Sequence, residues 1–263
     1  MQKILINYAT NEFKISQKLN SLTGLHIGGF DRVINYGPKN ISKVFRKKNA
    51  EIFNCKRGGG YWIWKPYIIL KTLKKLKYGD IIFYCDSGAL FIDDVNPLID
   101  LALNKQDVVC FNVGFKEKKY TKRDAFVLMD CDTEIYSETD QRLGGFIVVK
   151  KTSLSIKFFE EFLNFSLDRR IISDDGNVLG HKNYREFIEN RHDQTIFSLL
   201  TKKYKFKCFR DPSVGSHIPY RSIEISNYNQ ILISTRKRHY IPHKNLKYFF
   251  SVLKIKIKSL ITY

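Results

Sequence analysis

At 263 residues the chain is long enough to bury a full core as one large domain, or as one domain with an appendage. Its 43% hydrophobic and 14% aromatic content is globular, and no apolar run approaches the roughly 18 residues of a membrane span. A formal charge of +19 predicts attraction to phosphate, in nucleic acid, nucleotide-sugars or anionic lipid, without choosing among them.

The first ten residues, MQKILINYAT, have a strand pattern rather than that of a signal peptide. The run at 4–8 predicts a buried strand ending at Tyr8-Ala9-Thr10, followed by a helix around 13–22. A second strand is predicted at 31–36, closed by Gly37-Pro38, and a basic helix at 42–49. The glycine run at 58–60 leads into aromatics grouped around Lys65 and Pro66. A helix is predicted over 64–76, with Pro66 tolerated in its first turn. Its inward positions are Ile68, Ile69, Leu70, Leu73 and Leu76; Lys71, Lys74, Lys75 and Lys77 face solvent. Trp62 and Trp64 cannot both point inward at that helix start, and the pattern leaves open which one does.

The next strand, 80–85, ends on the acidic turn Asp86-Ser87-Gly88. A carboxylate just past the end of a buried strand is where α/β enzymes place metal and phosphate chemistry. Further along, 95–103 is helical, 107–112 and 144–149 are strands, and 153–166 is a helix packed through Phe158, Phe159 and Phe162. A last helix is predicted over 192–200. Strands alternating with helices predict an α/β fold with a mixed, mostly parallel central sheet flanked by helices. The five cysteines are odd in number, widely spaced and without a CxxC pair, which argues for reduced thiols in a cytoplasmic chain.

Several of these segments together resemble a known family. They are Tyr8-Ala9-Thr10, Gly28-Gly29-Phe30-Asp31, the block from Arg57 through Gly60-Tyr61-Trp62-Ile63-Trp64-Lys65-Pro66-Tyr67, Tyr84-Cys85-Asp86-Ser87-Gly88, Gly144-Gly145-Phe146, and His192-Asp193-Gln194. Their order and spacing over about residues 3–220 resemble bacterial nucleotide-sugar glycosyltransferases of the A-type (GT-A) fold, especially those that build capsule, O-antigen and lipopolysaccharide glycans. The resemblance implies transfer of a sugar from a nucleotide diphosphate to a growing, lipid-linked surface glycan. The donor it implies is UDP-linked, and galactose is the commonest sugar moved by such enzymes.

The family pattern at Asp86 is Asp-any-Asp, two carboxylates that hold a divalent metal against the donor diphosphate. Here Gly88 stands at the third position, so Asp86 is the one strand-end ligand for a Mn²⁺ or Mg²⁺ ion. The resemblance offers His217 as a second ligand and Arg221 as a diphosphate contact. Arg57 and Lys65 are candidate diphosphate or donor-sugar contacts, with the glycines at 58–60 permitting close backbone approach. Tyr8, Ala9 and Thr10 would meet the base and ribose. Ser87, Gly88, Gly144 and Gly145 would lie along the donor. Asp193, opening its helix, is the candidate catalytic carboxylate: a general base if the enzyme inverts, a support for the sugar or its oxocarbenium-like transition state if it retains. Asp140 is the second candidate.

Residues 1–235 are therefore expected to form the transferase domain, and 236–263 a basic amphipathic tail. The tail has eight cations and no acidic residue. Leu246, Phe249, Phe250, Leu253, Ile257, Leu260 and Ile261 share one helical face, with Lys247, Lys254, Lys256 and Lys258 off it. That pattern suits an interfacial helix on anionic lipid at the inner face of the cytoplasmic membrane; a helix docked on the core with its basic face in water and a coiled or swapped dimer contact are the alternatives. Two other functions compete. A basic nucleic-acid-binding protein lacks any RNP-like, zinc or helix-turn-helix pattern, and a metal-dependent phosphate-ester hydrolase would need more clustered Asp and His ligands.

Overall fold

The computed structural model describes residues 1–213 and 228–234. Nine strands are assigned there: β1 (Lys3–Tyr8), β2 (Arg32–Tyr36), β3 (Ile81–Cys85), β4 (Ala89–Phe91), β5 (Val108–Lys116), β6 (Asp140–Arg142), β7 (Phe146–Lys150), β8 (Cys208–Phe209) and β9 (Leu232–Ser234). Seven form one sheet in the order β2-β1-β3-β7-β5-β6, with β8 also paired to β5. β1 pairs parallel with β2 and β3, and β5 parallel with β8, while β7 runs antiparallel to both β3 and β5, and β6 antiparallel to β5. Only β6 and β7 therefore run against the rest, which is the mixed, mostly parallel sheet expected. The pair β4-β9 lies apart as a two-stranded ribbon.

The central strands are apolar on both faces because both faces are covered. On one side Ile4, Ile6, Ile82, Tyr84, Ile147 and Val149 pack against the helices Trp64–Leu73, Ser153–Ser166 and Asp193–Lys203. On the other, Leu5, Phe83, Val109 and Val148 meet Phe91 of β4 and the helix Asn96–Asn104. Phe158, Phe159 and Phe162 are fully buried, as their spacing predicts. The helix predicted over 64–76 ends at Leu73, and the chain leaves it through tight turns, with Lys75 N–H on Thr72 O and Leu76 N–H on Leu73 O.

The helix Lys14–His26 joins this second face in an unusual way. Its buried positions are Ser16, Gln17, Asn20, Ser21, Thr23 and Gly24. They meet Asn7, a fully buried polar residue of β1. Gln17 Nε2 donates to Asn7 Oδ1 and Tyr36 O, Asn7 Nδ2 donates to Asn20 Oδ1, and Asn20 Nδ2 donates to Ala89 O. A connected network of this kind satisfies groups whose burial would otherwise be costly. At Gly24 an added Cβ would lie 2.4 Å from the Leu5 side chain, so the helix rests directly on the sheet there.

Candidate active site

The C-terminal ends of β3 and β5, the entry to β7 and the start of the Asp193–Lys203 helix enclose a cleft of about 420 Å³. At its floor sits Lys65, on the first turn of the Trp64–Leu73 helix and 3% exposed. Its Nζ lies 2.5 Å from Asp193 Oδ2 and 4.0 Å from Asp86 Oδ1, and donates to Gly144 O at 2.9 Å. Three segments far apart in sequence thus converge on one ammonium. Burial pushes the Lys65 pKa down, but Asp193 and Asp86 outweigh it and leave the group above its ordinary value. Burial pushes the Asp193 carboxyl up to about 6, against the pull of Lys65.

Asp86 differs from Asp193 in being half exposed, at 52% of its side chain. Its Oδ1 accepts from the buried Tyr84 hydroxyl at 2.6 Å, and its backbone N–H donates to Gly145 O. A Cβ on Gly145 would lie 3.0 Å from Asp86 Oδ2, and one on Gly144 3.1 Å from Gln194 Cβ. The two glycines line the cleft, and their smallness lets the β7 entry close against these side chains.

One wall of the cleft is a left-handed turn. Gly58, Gly59, Gly60, Tyr61 and Trp62 all have positive φ, five residues in succession. Glycine adopts this conformation freely, whereas Tyr61 and Trp62 each cost about 1–2 kcal/mol. The turn folds Trp62 back so closely that a Cβ on Gly58 would meet its ring at 2.3 Å. Tyr61 and Trp62 both stack on His192, at centroid distances of 4.8 and 5.4 Å. His192 itself has φ 53°, and its Nδ1–H donates to Ile172 O at 2.8 Å. Burial lowers its pKa and so favours the neutral ring. The glycine run thus packs against the aromatic wall that Trp62 and His192 form.

The other expected residues divide. Trp64 is the inward tryptophan: it is 5% exposed, donates Nε1–H to Gly58 O and stacks on Tyr8 at 3.7 Å, while Trp62 lines the cleft. Tyr8 therefore has one ring face covered, and it is not among the cleft-lining residues. Ala9 donates its N–H to Tyr36 O. Thr10 is extended and begins a 3-10 turn. Ser87 Oγ donates to Tyr8 O at 2.6 Å, tying the ends of β1 and β3, with Gly88 following in the Asp86–Ala89 turn. Arg57 lines the cleft with its guanidinium engaged by Asp174 and Glu189, at 3.3 and 2.9 Å. Asp140 lies apart from the others: β6 pairs with β5 so that Asp140 faces Lys116 at 3.6 Å and accepts from Asn112, and it is not among the residues lining the cleft. His217, Arg221 and the 236–263 tail lie outside the described residues.

Sequence reasoning gave no role to Gln194. Its Oε1 accepts from Gly144 N–H at 3.0 Å and its Nε2 donates to Gln141 Oε1 at 2.7 Å, so its amide is held at both ends beside Asp193. Its place in His192-Asp193-Gln194 was the available signal. Glu189 and Arg191 reach the cleft from the irregular segment before that helix, which has no periodicity to read.

The divalent metal implied by the Asp86 motif finds a thin donor set. Among the described residues no three His, Cys, Asp or Glu side chains gather as a metal site. Asp86 offers one carboxylate, and the Lys65 ammonium 4.0 Å away already supplies positive charge there. These residues alone do not complete an oxygen shell.

No protein-family model matches the sequence, and no curated protein matches it. Solved structures do. An active-site mutant of LgtC superposes with a TM-score of 0.50 at 13% identity, over 95% of this chain and 95% of that one. The galactosyltransferase LgtC with donor and acceptor sugar analogs gives 0.48 at 13%, over 95% and 94%. Mouse xyloside xylosyltransferase 1 gives 0.49 at 8%, over 92% and 99%. The likeness is one of fold: the chain has the GT-A-like architecture, as its motif order implied.

Proposed function

We propose that this protein is a glycosyltransferase that moves a sugar from a nucleotide-diphosphate donor, UDP-linked, to a glycan acceptor. The observation that carries the reading is the convergence of Asp86 and Asp193 on the buried Lys65 at the floor of a cleft at the strand ends. Sugar transfer needs stabilisation of a departing diphosphate and of positive charge developing at the anomeric carbon. In this reading the half-exposed Asp86 faces the donor beside the Lys65 charge. Asp193, dry and fixed by Lys65, supplies negative charge toward the sugar or takes the acceptor proton. The wall of Trp62 and His192 excludes water, and Arg57 closes the rim toward the diphosphate when it exchanges a carboxylate partner for phosphate oxygens. A bacterial surface glycan, lipid-linked at the inner membrane face, is the acceptor class we propose, with galactose the first sugar to try.

The test is nucleotide release from a panel of nucleotide-sugars by the full chain, with and without metal. UDP-sugar turnover is expected, and Asp193→Asn and Asp86→Asn should each lower it by about 10²–10³-fold. Wild-type turnover by Asp193→Asn, or hydrolysis of a phosphate monoester in place of any nucleotide-sugar, would sink the proposal.

A further inference from the structure

Glu117 opens the short helix Glu117–Tyr120, is fully buried and does not line the cleft. A carboxylate so placed is tolerated only when its oxygens are paired. Its Oε2 accepts from Ser198 Oγ and from the Lys202 ammonium, both on the Asp193–Lys203 helix. Its Oε1 accepts from Thr121 Oγ1 at 2.7 Å and from Gln141 Nε2 at 3.0 Å. Lys202 answers the charge. Gln141, a fully buried amide on β6, has a separate consequence.

A carboxylate only accepts, so it dictates which end of the Gln141 amide faces it. Nε2 must point to Glu117, where Tyr120 O also accepts from it at 3.2 Å. Oε1 then points the other way and takes a donor, Gln194 Nε2, at 2.7 Å. That leaves Gln194 Oε1 facing Gly144, whose N–H donates to it at 3.0 Å. Gly144 O in turn accepts from Lys65 Nζ, beside Asp193. Two amides in series thus carry one choice of direction from a dry carboxylate to the cleft floor. Reversing either amide would set like against like and leave the Gly144 N–H without its acceptor.

We propose that Glu117 and Gln141 are positioning residues for the Lys65–Asp193 centre: they fix the direction of the Gln194 amide and so hold Gly144 with its carbonyl on Lys65. Neither lines the cleft, so their loss acts on turnover through the placement of Lys65 rather than on donor binding. The geometry stands without the proposed sugar transfer, while the effect on turnover rests on that reading.

Two readouts on the full chain test it. Gln141→Met keeps the volume and removes both hydrogen-bonding ends. Gln141→Glu keeps both ends only while protonated, with its O–H toward Glu117 and its C=O toward Gln194. Burial and the Glu117 charge raise the pKa of that introduced carboxyl. By NMR, the Gly144 N–H should exchange about tenfold faster in Gln141→Met, with β1 and β3 unchanged, which separates a released amide from unfolding. In nucleotide release from UDP-sugars, Gln141→Met should lower kcat by about tenfold or more at every pH, with donor KM within about threefold. The turnover of Gln141→Glu relative to wild type should rise as pH falls. Glu117→Leu/Lys202→Met, which leaves no unpaired charge and no acceptor for Gln141, should match Gln141→Met in both readouts. Unchanged Gly144 exchange in Gln141→Met or in the double variant overturns the proposal, whether or not any sugar is transferred. So does wild-type kcat in Gln141→Met, or a Gln141→Glu that parallels Gln141→Met at every pH, as packing alone would give. Faster Gly144 exchange in a protein that turns over no nucleotide-sugar would uphold the relay and reject the transfer reading.

Discussion

Lys65 shows how much one side chain can carry. A lysine 3% exposed keeps its charge only because carboxylates surround it, and Asp193 is tolerated at 4% only because of Lys65. Removing one partner of such a pair leaves an unpaired buried charge, so Lys65→Met should cost about 3–5 kcal/mol in denaturant unfolding. Lys65→Met/Asp193→Leu should recover much of that loss, and a double mutant as unstable as the single would show that packing rather than charge holds the site. The Asp193 carboxyl also sets a pH expectation. Its pKa is raised in the fold, to about 6, so its contribution to stability is present at low pH and is lost as pH rises through that value. The proposed transfer has the opposite sign, because it uses the carboxylate. Donor kcat/KM should fall as pH drops through about 6. Lys65 pulls that pKa down, so Lys65→Met should move the acid limb upward; a limb at the ordinary position of an exposed aspartate would contradict the assignment.

At the scale of elements, the Gly58–Trp62 turn is the most specific part of the cleft wall. Gly59 has φ 61° and ψ 46°, and its nearest neighbour to an added Cβ is Trp64 Nε1 at 3.9 Å. Gly59→Ala should therefore cost only the left-handed backbone penalty, roughly 1–2 kcal/mol. Gly60 has φ 97°, and a Cβ there would lie 3.0 Å from the Phe53 backbone. Gly60→Ala should cost distinctly more and disturb the Trp62-His192 stack, to be read by urea unfolding and by the near-ultraviolet circular dichroism of the tryptophans. Equal costs at the two positions would show that the turn is not held against Phe53. The sequence announced this block by its glycines and aromatics, yet not its hand. Handedness depends on Trp62 folding over Gly58 and stacking on His192, a residue more than a hundred positions away. β1, β3 and β7, by contrast, were legible because each is buried on both faces. β4, β6, β8 and β9 were not, since strands of two or three residues have too few positions for a period to emerge. The Lys14–His26 helix was legible as a helix, but its orientation was decided by Asn7, a polar residue inside a strand.

For the whole molecule, the +19 charge acts at a distance while the cleft acts by contact. A protein so basic should bind nucleic acid weakly, and that binding should collapse between 50 and 200 mM salt. A nucleotide diphosphate held in the cleft should still raise the melting temperature at the higher salt, by about 2.7 kcal/mol of stabilisation at a hundredfold excess over Kd. Nucleic-acid binding that survives 200 mM salt, with no response to any nucleoside diphosphate, would restore the rival reading. The alternation of strands and helices, the mixed sheet and the order of the motifs were settled by the sequence alone, because burial on two faces and helical period are local properties written into runs of residues. Which carboxylate meets which cation was settled only by the tertiary structure. Asp86, Asp193 and Gly144 come from three elements, and Asp140 is only a few residues from Gly144 yet turns to Lys116. Strand register and helix entry angle choose between such neighbours, and neither is encoded in a spacing.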